Sequence, residues 1–165
     1  MGTPPSDITY RFYITESDKQ SIREVLESTG FFYDYEVDVA VEIATDYLTM
    51  DDHNGYHFLV AEHNGKLIGF ANYGLIPCTK DSYDLYWIGV HNNYRGQGIG
   101  LKLLLDAEKH ILELGGKRVY IETSSTEKYA PTQGFYFRAG YILEGRLKDY
   151  YREGDDKLMY SKIIG

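Results

Sequence analysis

The run Arg95-Gly96-Gln97-Gly98-Ile99-Gly100 has the composition of a phosphate-binding turn. It lies between an apolar, strand-like segment ending at Val90-His91 and an amphipathic helical run that starts near Leu101. A glycine-rich turn that opens a helix aims unpaired backbone N–H groups and the positive end of the helix dipole at one point, where an anion binds. The chemistry implied is the grip on a phosphorylated cofactor. A Walker loop is excluded, because Gly100 is followed by Leu101 rather than by Lys and a hydroxyl residue. A dinucleotide fingerprint is excluded too: counted from Gly96 or Gly98, the third glycine falls on Leu101 or Leu103.

Elements on both sides must hold this turn. Upstream, Asp84-Leu85-Tyr86-Trp87-Ile88-Gly89-Val90-His91 is rich in strand formers, with Gly89 where a strand bulges or lets a ligand approach its backbone. Downstream, Leu101, Leu104, Leu105, Ile111, Leu112 and Leu114 recur at helical spacing, and Gly115-Gly116 closes the helix before a strand at 117–123. Further on, Pro131 can open a short helix and Gly140 can close it, ahead of another strand at 141–144.

With these elements around it, the turn resembles the coenzyme A signature Arg/Gln-x-x-Gly-x-Gly/Ala of the GNAT superfamily of acyl-CoA-dependent N-acyltransferases, matched by Arg95, Gly98 and Gly100. The segment Phe135-Tyr136-Phe137-Arg138-Ala139-Gly140-Tyr141 is similar to that family's Leu-Tyr-Glu-Lys-Leu-Gly-Phe element. The resemblance covers Tyr56 to about Ile164 and implies acetyl-CoA as co-substrate, with no metal. It places the diphosphate on residues Arg95, Gly96, Gln97, Gly98, Ile99, Gly100 and Leu101, and the pantetheine arm on Ile88, Gly89 and Val90. Tyr136 falls beside the coenzyme sulfur, where a phenol can give a proton or a hydrogen bond to a departing thiolate. Tyr129 stands about where many members carry a cofactor-contacting asparagine, and Gln133 where many have arginine.

Composition bounds the remainder. A chain of 165 residues with 43% apolar content is long enough for one domain with a proper core, so 1–165 is read as a single acetyltransferase domain with 1–7 as a lead-in. The single cysteine, Cys78, rules out an internal disulfide framework and a thiolate zinc cluster. His53 and His57 are four apart, but Gly55 breaks any helix between them, so no metal pair is expected. The start Met1-Gly2-Thr3-Pro4-Pro5-Ser6 formally fits a myristoylation pattern, yet it reads better as a proline-rich lead-in. With no signal-peptide core and no apolar run of membrane length, the expectation is a cytoplasmic protein without a membrane partner.

Charge is uneven. Residues 1–80 hold 13 acids and 5 bases, 5 − 13 = −8, whereas 81–165 hold 12 of each. Asp34, Glu36, Asp38, Glu42, Asp46, Asp51 and Asp52 occur with no Lys or Arg among them. Charge runs commonly form a solvated helix face. In the resembled family this region contributes to the acceptor side of the cleft, so Phe32, Tyr33, Glu36 and Asp38 are the expected acceptor contacts, drawing in a cationic amine. Nucleic acid is excluded as a partner by the net −8 and the lack of a basic patch.

The remaining pattern gives a first strand at 8–12, a first helix at 16–28 capped by Thr15 or Ser17, one further helix at most, and a hairpin at 57–76 turning at Asn64-Gly65. Final strands are expected at 141–144 and 157–163, with Asp149 to Gly154 in the last loop. The fold class is mixed α/β (α+β), with a largely antiparallel central sheet flanked by helices, as in the resembled family. An ammonium near pKa ~10.4 must lose a proton before it attacks a thioester. Asp84 and Glu122, on strands expected to border the cleft, are the candidate bases. The tyrosine-rich run from Tyr141 to Tyr160 is available for a homodimer contact or for the cleft. Two functions stay open: N-acetylation of a small-molecule, lysine or N-terminal amine, and a non-catalytic acyl-CoA sensor.

Overall fold

Strands and helices are interspersed along the chain in a computed structural model that describes residues 2–165; Met1 lies outside the described residues. The elements are β1 Thr9–Arg11, α1 Asp18–Thr29, α2 Asp34–Thr49, β2 Tyr56–His63, β3 Lys66–Leu75, β4 Ser82–Val90, α3 Ile99–Glu113, β5 Arg118–Ser124, α4 Ala130–Arg138, β6 Ile142–Arg152 and β7 Asp155–Ile163. The strands follow the order β1-β2-β3-β4-β5-β7-β6 in a seven-stranded sheet. In it β4 and β5 are parallel, while β1–β2, β2–β3, β5–β7 and β6–β7 are antiparallel. Among the described residues no helix is long and apolar enough to cross a membrane.

Two compact units share this chain, one formed up to Gly74 together with Trp87–Lys109, the other by Leu75–Tyr86 with His110–Gly165. In the first, α2 buries Val37, Ala40, Ala44 and Tyr47, a spacing that keeps one helix face turned inward. These join Ile22, Val25 and Leu26 of α1 and Phe58, Val60 and Phe70 of the hairpin in one apolar cluster. Burial of each Val, Ile, Leu or Phe side chain among them contributes about 1.5–3 kcal/mol. The start of α1 is held by charge: Arg11 donates to Asp18 at 2.8 Å and to Glu62 at 2.9 Å. Burial alone would raise the Asp18 carboxyl, but the hydrogen bonds from Arg11 and Thr15 outweigh it and hold the group below its ordinary value. Neither Thr15 nor Ser17 caps α1 through its side chain; Asp18 instead accepts from the Thr15 amide at 2.7 Å. The lead-in is tied down as well, since the Gly2 amide donates to the Gly96 carbonyl at 2.9 Å.

The second unit stacks β5, β7 and β6, with the first three residues of β4 alongside β5. Its helices pack on one face of these strands. Tyr136 of α4 meets the Tyr160 ring at 6.2 Å, and Tyr160 is registered opposite Ile121. On that face too, Gly116 presses against Ile111 and Tyr83, where an added Cβ would lie 2.4 Å and 2.7 Å from their side chains. Gly116→Ala is therefore expected to destabilise the fold by roughly 1–3 kcal/mol, read from the midpoint of a denaturant titration.

Strand β6 corrects the sequence reading. It runs to Arg152, and only Glu153-Gly154 separates it from β7, so Asp149 to Arg152 belong to a strand rather than to a loop. Charged, exposed residues hide the strand from its sequence pattern. Pairing with β7 sustains it, helped by Arg146 bonding Asp156 and by the Asp149 amide donating to Asp156 at 2.8 Å. The register slips between Leu147 and Arg152, where Asp149 adopts φ +53°.

Candidate active site

The turn leading into α3 is built as its glycines require. Gly96 and Gly98 have φ of +73° and +79°, left-handed values that favour glycine, and a Cβ at either would meet nothing within 4 Å. The first bond of the helix runs from the Lys102 amide to the Gly98 carbonyl at 3.1 Å, which leaves the amides of Ile99, Gly100 and Leu101 ahead of the helical ladder. Ile99 turns its side chain into the core at 2% exposure, so its backbone is what it offers a ligand, whereas Leu101 is exposed. Gln97 has a buried Oε1 with no hydrogen-bond partner. A half-turn of that amide presents two N–H donors in its place. Open backbone, unladdered amides and an unsatisfied amide side chain fit a diphosphate.

Arg95 is exposed, and its guanidinium lies 5.4 Å from the centre of the Phe31 ring, in the connection between α1 and α2. Ile88, Gly89 and Val90 form the end of β4, half buried. Between the bonds Ile76 N–H to Ser82 and His91 N–H to Ile68, β4 contributes nine residue steps and β3 eight. One extra residue is therefore taken up on β4, which is the arithmetic of a bulge. Gly89 also has a packing reason: a Cβ there would sit 3.2 Å from Leu26 and 3.4 Å from Val25 of α1.

The second unit carries the titratable groups. Asp84 and Tyr120 are the last registered pair of the β4–β5 ladder, after which β4 runs on to Val90 and β5 to Ser124. Side chains alternate along a strand, so Asp84, Tyr120 and Glu122 share one face, opposite the face on which α4 places Tyr136. Asp84 is raised from 3.8 to about 6, first by burial and then by repulsion from Glu122, with Lys157 pulling the other way. Glu122 already has a partner, since its Oε1 lies 2.9 Å from Lys157 Nζ. The two carboxylates named as candidate bases are thus brought together and made unequal.

Tyr136 is 5% exposed and packed among Phe135, Tyr141 and Tyr160. Burial pushes its phenol well above the ordinary range. It is therefore a neutral hydrogen-bond donor throughout the working pH range, better suited to hydrogen-bonding a developing thiolate than to surrendering its proton outright. Tyr129 caps α4, and Gln133 Nε2 donates to the Ser124 carbonyl at 3.0 Å.

Of the expected acceptor contacts, Phe32 meets Trp87 edge to face at 5.2 Å and Tyr33 stacks on Tyr35 at 5.4 Å. Glu36 and Asp38 are engaged locally. Glu36 accepts from the Tyr33 amide at 2.8 Å, which fixes the entry to α2, and Asp38 takes Arg23 at 2.8 Å. His53 stacks on Tyr47 at 4.0 Å, and among the described residues no group of His, Cys, Asp and Glu is arranged to hold a metal ion. Sequence reasoning did not single out Lys157 or Trp87, and it reached Tyr150 only as part of the tyrosine-rich run from Tyr141 to Tyr160. Only Trp87, inside the strand before the turn, carried a usable signal.

Comparison with known proteins identifies the family and the fold. The family model described as the acetyltransferase (GNAT) family matches residues 19–141, a stretch that runs through both units. A crystal structure of a protein described as a GNAT-family acetyltransferase, from Desulfovibrio desulfuricans, is 40% identical with a TM-score of 0.93, covering 96% of this chain and 99% of that one. An aminoglycoside 6'-N-acetyltransferase complexed with coenzyme A has the same fold at 19% identity and a TM-score of 0.77, covering 95% of this chain and 97% of that one. A Bacillus subtilis protein described as a ribosomal protein bS18 alanine N-acetyltransferase is 30% identical over 104 residues, 62% of this chain and 66% of that relative's length.

Proposed function

The chain belongs to the acetyltransferase (GNAT) family, and on that premise we propose that it moves an acetyl group from acetyl-CoA to a primary amine by direct transfer. The observation that carries this reading lies in the second unit: a carboxylate tuned to about 6 and a buried, neutral phenol stand on opposite faces of the strands where the β4–β5 ladder ends. Such a pair suits aminolysis of a thioester, with a base on the side of the attacking nitrogen and a donor on the side of the leaving group.

In this reading the backbone of Arg95–Leu101 and the Gln97 amide hold the diphosphate and Ile88–Val90 hold the pantetheine arm; Tyr129 and Tyr136 keep the cofactor role that the family resemblance implies. Acetyl-CoA supplies an activated acetyl thioester. Asp84 takes a proton from the acceptor ammonium and frees the nitrogen lone pair for attack. The Val90 amide polarises the acetyl carbonyl, and the Tyr136 hydroxyl donates toward the departing sulfur.

For the acceptor, the reading is a cationic amine. Phe32, Trp87 and Tyr33 offer aromatic faces to a cation. Asp34, Glu42, Asp51 and Asp52 are exposed and supply the field that draws it in. Glu36 and Asp38 add to that field at longer range, since each already has a partner. A relative described as a ribosomal protein bS18 alanine N-acetyltransferase, and an aminoglycoside 6'-N-acetyltransferase of the same fold, both have amine acceptors in their descriptions. The test is thiol release from acetyl-CoA over polyamines, aminoglycosides and peptides with free N-termini. Turnover with at least one cationic amine is expected, and Trp87→Ala should raise its KM several-fold while leaving the KM for acetyl-CoA in place. Acetyl-CoA binding without thiol release across the whole panel would replace the enzyme by a sensor.

A further inference from the structure

Lys157 of β7 carries a charge, yet its side chain is only 10% exposed. A buried ammonium is stable only where nearby groups neutralise it. Two do so: Glu122 Oε1 at 2.9 Å, and the Tyr150 ring, whose centre lies 4.4 Å from Nζ. The β5–β7 register places Ser124 opposite Lys157 and Met159 opposite Glu122, so the ion pair runs diagonally across one face of the strands. Asp84 stands on that same face, registered with Tyr120, one alternate position before Glu122.

The face therefore offers two carboxylates to an incoming ammonium, and a single proton carrier requires that they differ. Resting on the reading of Asp84 as the base, we propose that Lys157 is a positioning residue: by holding Glu122 in an ion pair it keeps that carboxylate occupied and leaves Asp84 as the group that meets the ammonium and accepts its proton. The step balances simply. The N–H bond of the ammonium breaks, its electron pair stays on nitrogen, and the proton moves to an Asp84 carboxylate oxygen, while Lys157 and Glu122 keep their charges. Without Lys157, two neighbouring carboxylates would compete for one proton, and the cost of ionising both would fall on the pair.

Other charged or titratable groups on this face of the unit are Arg118, Tyr120 and Tyr86, with Tyr150 above Lys157. Asp155 is bound to Ser124 and Arg152, and Glu144 to the Ser161 hydroxyl. Beyond burial, Glu122 raises the Asp84 carboxyl and Lys157 lowers it.

The experiment is a carbon-detected NMR titration of the Asp84 carboxyl in the full chain, in wild type, Lys157→Met, Lys157→Arg and Glu122→Gln, paired with the pH profile of thiol release. Expected is a midpoint near 6 in wild type, rising by at least about half a unit in Lys157→Met and returning toward wild type in Lys157→Arg. Glu122→Gln should move it down, and if methionine at 157 does not fold, Lys157→Gln takes its place in the comparison. A lysine that merely supports β7 would lower Tm and leave the midpoint where it was, and that result overturns the proposal. The acid limb of kcat/KM should follow the midpoint from variant to variant. A midpoint that moves while the limb stays fixed would instead overturn Asp84 as the base, so the two failures are distinguishable.

Discussion

Tyr136→Phe is expected to lower turnover at least about tenfold while leaving the affinity for coenzyme A nearly unchanged. The ring is held on three sides by Phe135, Tyr141 and Tyr160, and a phenylalanine keeps all of that packing. What is lost is a single hydroxyl, in a site where burial keeps it protonated. An interaction made only as charge develops on sulfur appears in kcat rather than in ground-state binding. Single-turnover thiol release beside calorimetric titration of coenzyme A separates the two, and unchanged turnover would remove Tyr136 from the mechanism.

Asp84→Asn should reduce kcat/KM on the order of 10²-fold and abolish the acid limb near pH 6. The base works as a carboxylate, so wild-type activity rises with pH through about 6. Stability has the opposite sign. Because folding raises the carboxyl from 3.8 to about 6, Asp84 favours the fold in its protonated form; that advantage is complete below 3.8 and lost as pH rises through about 6. The asparagine variant, which resembles the protonated acid, should match wild type in Tm at the acid end and exceed it above pH 6. Gain of stability together with loss of activity marks a residue kept for chemistry. A variant that loses both would point to a structural carboxylate.

Features legible in the sequence are those whose causes are local. The turn at 95–100 was readable because the two left-handed positions demand glycine and the amides that follow belong to the first turn of a helix. Likewise α3, the Asn64-Gly65 hairpin and the order of elements follow from side-chain period and turn chemistry within a few residues. The far half of β6 was not readable, because its charged residues are poor strand formers and only the facing β7 holds them extended. The partner of Asp38 was hidden for the same kind of reason, since Arg23 sits one helix away.

The site shows that division most clearly. Sequence alone pointed to a glycine turn at 95–100 of the kind that meets an anion, since residue type and local spacing decide that, and it offered Asp84 and Glu122 as candidate bases, while Tyr136 came from the family resemblance. Tertiary structure gave the two carboxylates different surroundings, because burial and charges brought in from other strands act on each. Lys157 is 35 residues from Glu122 in the chain and 2.9 Å from it in space, and no local pattern encodes that distance.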